Sequence, residues 1–154
     1  MPNILLSRID NRLVHGQVGT VWTRFLGANL IVVADDDVVT DEIQKALMSI
    51  TATTSGADIR FFSIEKTIEI INRASDNQKI FLVVKTPKQM VQLIKGNVPI
   101  KEVNIGNMHS SEGKKQIAPS VYVDDEDEAC IQYMIGKGIE VYVQTTPTTR
   151  KIKL

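Results

Sequence analysis

Ile80-Phe81-Leu82-Val83-Val84 is an unbroken apolar run, and short β-branched runs return along the whole chain at a regular pitch. Near-continuous Ile, Leu, Val and Phe suits parallel strands covered on both faces. Seven segments read as strands: Asn3 to Ile9, Asn29 to Ala34, Asp58 to Phe62, Lys79 to Val84, Lys101 to Ile105, Val121 to Val123 and Glu140 to Gln144.

The intervening segments have helical spacing. Val18, Val21, Trp22 and Phe25 fall at i, i+3, i+4 and i+7, as do Ile43, Ala46, Leu47 and Ile50, so each set predicts one apolar helix face. Ile64, Ile68 and Ile71 share a face of a third helix, and Met90 with Ile94 anchors a fourth. Thr86-Pro87 supplies a capping hydroxyl and then proline at the first helical position. Asp124, followed by four acidic residues, opens a fifth helix at the end where negative charge suits the dipole. Gly27, Gly96 and Gly138 lie where helices should stop. This alternation predicts an α/β fold: one open, mainly parallel sheet with helices on both faces, forming a single domain over residues 1–154. The tail from Thr145 to Leu154 reads as an irregular or loosely docked end.

Charge narrows the function. Acidic and basic side chains balance at 18 each, so no overall field recruits nucleic acid or an anionic membrane. No apolar run approaches the length of a bilayer span, and Met1-Pro2-Asn3 opens no signal segment, so the expected compartment is the cytoplasm. The single Cys130 rules out an internal disulfide and a thiolate metal cluster, and its helical context suggests an inert thiol.

In an open parallel sheet, ligands sit beyond the carboxyl ends of the strands. Only one such end is crowded with reactive groups, the segment from Ser7 to Gly19. His15 lies just before the helix that carries Val18 to Leu26, where unpaired amides and the dipole favour an anion, and Gly16 allows close backbone approach. Arg8 and Arg12 could add charge-assisted contacts to phosphoryl oxygens. A neutral imidazole is nucleophilic near pH 7, and nearby cations help to keep it neutral. Asp10 could orient the ring or an arginine. The bland alternatives are a solvated His15, Arg8 paired with a carboxylate and Arg12 as a loop charge.

Other strand ends are weaker candidates. Thr86 could contact phosphate or simply cap its helix, and Gly106-Asn107-Met108-His109 has ordinary turn chemistry. Asp35-Asp36-Asp37 reads as a solvated loop, because no partner cluster for a metal accompanies it. There is no Gly-x-Gly-x-x-Gly, no Walker-type lysine motif and no Gly-x-Ser-x-Gly elbow.

The segment Arg8-Ile-Asp-Asn-Arg-Leu-Val-His15-Gly-Gln-Val closely resembles the active-site segment of the enzyme IIB components of the mannose-type sugar phosphotransferase family. The resemblance continues through Lys85-Thr86-Pro87 and Pro99 to His109, and covers nearly the whole chain. It implies that His15 takes a phosphoryl group, on Nδ1, from a phosphohistidine of the IIA partner, and passes it to a sugar held by the membrane IIC and IID components. That is the activity of a protein-phosphohistidine–sugar phosphotransferase in a PEP-dependent uptake system, with the protein cytoplasmic and peripherally associated with the permease. Gln17 belongs to the matched His-Gly-Gln core and joins Arg8, Arg12, Asp10, Gly16 and Thr86 as supporting residues, with Asn107 and His109 as neighbours. No cofactor or metal is implied. The family fold has seven strands, with the first between the fourth and fifth, which would bring Thr86 and the Gly106 to His109 loop beside His15. Asn107, with Gly113 to Ala118 following, looks like the N-acetylgalactosamine branch. The sugar and the oligomeric state stay open, a homodimer among the options.

Two other classes compete. A receiver-like signalling domain shares the layout, but its phosphorylated aspartate should end the third strand, where this chain has Ser63. A non-catalytic ligand-binding α/β module leaves the Arg-Asp-Arg-His loop unexplained.

Overall fold

The computed structural model describes residues 1–154. In chain order the elements are β1 (Asn3–Asp10), α1 (Gly16–Leu26), β2 (Leu30–Ala34), α2 (Glu42–Ser55), β3 (Asp58–Phe62), α3 (Ile64–Ile70) and β4 (Lys79–Val84). There follow α4 (Pro87–Lys95), β5 (Glu102–Asn107), β6 (Lys115–Ala118), β7 (Val121–Val123), α5 (Asp125–Gly136), β8 (Glu140–Val143) and β9 (Ile152–Lys153).

The main sheet has seven strands in the order β3-β2-β4-β1-β5-β8-β9. Every neighbouring pair is parallel except β8 with β9. The first strand therefore lies between the fourth and fifth, as the resemblance implied. β1 leads by way of α1 to β2, outside β4, while β5 takes the other side, so the connections diverge at the carboxyl end of β1.

The seven members are not the seven read from sequence. Val121–Val123 leaves the main sheet and pairs antiparallel with Lys115–Ala118 as a separate ribbon. The seventh place goes to Ile152–Lys153, inside the tail expected to be irregular. It covers the edge of β8, whose amides and carbonyls would otherwise lack partners.

Strand alternation divides the core in two. Ile80, Leu82 and Val84 belong to a cluster of 25 buried residues under α3, α4 and α5, while Phe81 and Val83 belong to a cluster of 12 under α1 and α2. The smaller cluster departs from the sequence expectation. α1 buries Gly19, Trp22 and Thr23, and α2 buries Met48 and Ala52. Val21, Phe25, Ile43, Leu47 and Ile50 face solvent, with Ile43 as much as 74% exposed. The cause is close packing through small residues: a Cβ on Gly19 would come 3.1 Å from the Thr51 methyl. The helices meet along that seam, and the wider apolar spacing falls outside it.

Candidate functional site

β1 stops at Asp10 because the chain turns sharply there. The Leu13 amide donates to the Asp10 carbonyl at 2.8 Å, and the Arg12 amide donates to Asp10 Oδ1 at 2.9 Å. Leu13 adopts a left-handed φ of 58° and is buried with Val14 in the smaller core. A bulky residue in that region costs roughly 1–2 kcal/mol, and burial of the side chain offsets it. Gly16, at φ 47°, is the second left-handed position. A Cβ there would meet nothing within 4 Å, so glycine is required by backbone angle and not by space.

His15 is the N-cap of α1, in extended conformation, and its side chain makes no capping bond. The first loop-to-helix amide to find a backbone acceptor is Gly19, bonded to the His15 carbonyl. The amides of Gly16, Gln17 and Val18 are the orphan donors of a helix start. No acidic residue occupies this first turn. Uncapped amides and the helix dipole at such a terminus favour an anion.

The His15 side chain is 27% exposed, with Nδ1 4.0 Å from Asp10 Oδ1. Nδ1 is buried and has no hydrogen-bond partner. Burial pushes the imidazole below its ordinary range; Asp10 opposes that shift and Arg12 reinforces it. The ring is therefore neutral near pH 7, which is the nucleophilic state.

His15 opens on a cleft of about 400 Å³. The β1–α1 loop contributes Arg12, the β2–α2 connection contributes Asp37 and Asp41, the first turn of α2 contributes Gln44, and Lys85 enters from the end of β4. Arg12 is exposed and its guanidinium is engaged by no other side chain.

Arg8 departs from the reading that placed it on phosphoryl oxygens. It is 2% exposed, and both terminal nitrogens of its guanidinium are engaged. Nη1 donates to Asn104 Oδ1 and the Gln144 carbonyl, and Nη2 donates to Asp10 Oδ2 at 3.0 Å and the Thr145 carbonyl at 3.2 Å. The group also stacks 5.4 Å from the Trp22 ring centroid. Burial lowers its pKa, and Asp10 opposes that. Arg8 supports the site indirectly by fixing Asp10, which in turn shapes the Arg12–Leu13 turn. Asn104, Gln144 and Trp22, which hold it, carry no local motif that sequence could have flagged.

Of the two roles open to Thr86, the structure shows the helix cap. Its hydroxyl accepts from the Gln89 amide, and the Gln89 side chain accepts from the amides of Thr86 and Lys85. This capping box uses the hydroxyl at α4. Parity explains it: Thr86 continues the Val84 row toward the larger core, while Lys85 continues the Val83 row toward the His15 cleft. Lys85 is the cleft residue that sequence reading passed over, and the alternation of β4 was the signal for it.

Gly16 and Gln17 line the groove between α1 and α2, beside the cleft. Asn107 and His109 stand on the other flank, tied to the His15 loop through Asn11. The Asn11 amide donates to the Asn107 carbonyl, and the Asn11 side chain accepts from the His109 amide, each at 3.0 Å. The His109 ring meets the Asn107 amide at 3.2 Å. The triple aspartate is not a solvated loop throughout. Asp35 is buried and accepts from the Val38 amide and Gln89, while Asp36 accepts from the Ile64 amide at the start of α3. No three His, Cys, Asp or Glu side chains gather to hold a metal ion.

The family described as PTS system sorbose subfamily IIB component matches residues 4–154. The chain is 55% identical over 150 residues to the N-acetylgalactosamine-specific phosphotransferase enzyme IIB component 1 of Escherichia coli, covering 97% of this chain and 95% of that one. The crystal structure of the E. coli N-acetylgalactosamine-specific IIB component 1 superposes with a TM-score of 0.96 at 54% identity over 99% of both chains. A PTS-dependent N-acetylgalactosamine IIB component from Streptococcus pyogenes superposes with a TM-score of 0.91 at 38% identity, over 100% of this chain and 95% of the other.

Proposed function

The chain belongs to the sorbose subfamily of phosphotransferase-system IIB components, and from that premise we propose that it is a phosphoryl carrier whose reactive group is the imidazole of His15. It is a component of a sugar phosphotransferase system, alongside relatives named for N-acetylgalactosamine. In the proposed cycle, the N–P bond of a phosphohistidine on the IIA donor breaks as an N–P bond to His15 forms. That bond then breaks as a hydroxyl oxygen of a sugar, held by the membrane IIC and IID components, takes the phosphoryl group and releases its proton. The names of the relatives support N-acetylgalactosamine or a related hexose as acceptor.

The observation that carries the reading is the pairing of a neutral, half-buried imidazole with a helix N-terminus that no side chain caps and a guanidinium that no other side chain engages. Phosphoryl transfer runs through a loose transition state, so a carrier needs positioning and charge stabilisation more than covalent machinery. The α1 amides and Arg12 supply donors for the equatorial oxygens. The resting rotamer turns Nδ1 toward Asp10. A half-turn about Cβ–Cγ exchanges Nδ1 with Cδ2 and brings it away from Asp10, and no hydrogen bond holds it against that turn.

A receiver-like mechanism finds no acceptor at its expected place. β3 ends at Phe62, and the next residue, Ser63, uses its hydroxyl to cap α3. No helix is long and apolar enough to cross a membrane. The deciding experiment is labelling by a phosphorylated donor. Label should be acid-labile and alkali-stable, absent in His15→Ala and largely retained in His109→Ala. Label that survives His15→Ala overturns the assignment.

A further inference from the structure

The geometry points to Lys85 as a second cation for the phosphoryl group on His15, released from Asp35 when that group arrives; the inference rests on the carrier reading above. β4 lies between β2 and β1. Ile9 pairs with Val84 and Val33 with Val83, so one step beyond the first pair brings Lys85 level with Asp10, and two steps beyond the second bring it level with Asp35. Adjacent strands lie about 4.8 Å apart, which places a lysine that lines the cleft between two buried carboxylates.

The two carboxylates are not equally available. Asp10 is already satisfied by Arg8 and the Arg12 amide. Asp35 accepts from the Val38 amide at 3.0 Å and from Gln89 at 2.6 Å. Lys85 Nζ stands 3.7 Å from Asp35 Oδ2, beyond hydrogen-bond length, and its side chain remains 36% exposed. Asp35 keeps two good donors if the lysine leaves. Meanwhile the Lys85 amide is pinned to Gln89, so its backbone is fixed and only the flexible stem must swing. Its other option is the wall that carries His15 and Arg12, within the same cleft. A dianion on His15 would outbid a carboxylate that has two other partners.

The chemistry requires no proton from Lys85. The ammonium keeps all three hydrogens, contacts phosphoryl oxygens, and stabilises charge while the N–P bond forms on His15 and breaks on the donor.

Lys85→Met, Lys85→Arg and wild type are compared with one phosphorylated IIA donor, after His15 labelling of the wild type has been measured. Single-turnover acceptance by Lys85→Met should fall about tenfold, less than for loss of one buried donor because solvent reaches this lysine. The equilibrium should shift toward the phosphorylated donor by a similar factor, and Lys85→Arg should restore most of both. In the wild type, the Lys85 Nζ resonance should move on phosphorylation, a readout independent of how any variant folds. A normal His15 label with rate and equilibrium within twofold in Lys85→Met, or an unmoved Nζ resonance, makes Lys85 only the Asp35 ion pair. A wild type that takes no label on His15 removes the carrier reading and this inference with it.

Discussion

The Arg8 guanidinium lies against the backbone of Gly106, so that a Cβ added there would fall 2.0 Å from Arg8 Nη2. Glycine at this position is therefore set by a side chain of the neighbouring strand β1, whose carboxyl end leads to His15. Arg8 holds Asp10, Asp10 holds the Arg12 amide, and that turn delivers His15 to the start of α1. Gly106→Ala should displace the guanidinium and leave Asp10 buried without its charge partner, costing about 3 kcal/mol. Urea unfolding measures it. An unchanged midpoint would mean that Arg8 moves without penalty and is not the anchor of the loop.

Arg12 has the opposite character. It is exposed and lines the cleft, and its guanidinium touches no carboxylate, so removing the side chain should spare the fold. Arg12→Ala should slow phosphoryl acceptance about 100-fold, as for loss of one charge-stabilising donor. Thermal stability should stay within the small range of surface substitutions. Single-turnover rates close to wild type would take Arg12 out of the site.

The contrast between the two arginines shows what the residue pattern carried and where it stopped. Element order, the parallel sheet and the crowding at the end of β1 were legible, because apolar period and helix start signals are local. The separation of Arg8 from Arg12 was not, since Arg8 is buried by Asn104, Gln144 and Trp22, which are remote in sequence. Likewise Ile152–Lys153 is too short to show a period, and only the bare edge of β8 gives it a strand to join. The outward Ile43 and Leu47 were misread for a related reason: spacing defines a helix face, but not which face another helix will choose. Lys85 and Thr86 differ by one residue and therefore by one side of the sheet, a distinction available from β4 alternation alone.

That parity yields a discriminating test for Thr86. Its hydroxyl caps α4, so Thr86→Ala should lower stability by about 1 kcal/mol. The same variant should accept phosphate from the donor within twofold of wild type, because the hydroxyl does not line the cleft. Thr86→Ser, which keeps the cap, should restore stability. A large loss of transfer rate with an unchanged melting temperature would return Thr86 to the phosphate site.

The pH profile tests the electrostatics of His15 itself. Burial is the main reason its pKa lies below the ordinary 6.5; Asp10 acts to raise it and Arg12 to lower it. Only the neutral ring attacks, so acceptance should be flat at and above neutral pH and fall as protonation sets in at lower pH. Arg12→Ala removes a lowering influence, so its acid limb should move to higher pH, whatever its plateau. Asp10→Asn removes a raising influence, so its limb should move to lower pH. Single-turnover rates between about pH 5 and 8, taken with one donor throughout, measure both movements, and the shared donor makes its own titration common to all three proteins. The opposite signs are the decisive feature, since general loosening of the loop would shift both limbs in one direction. Two limbs that coincide with wild type would assign the titration to the donor and leave His15 without the electrostatic coupling that its position beside Asp10 and Arg12 requires.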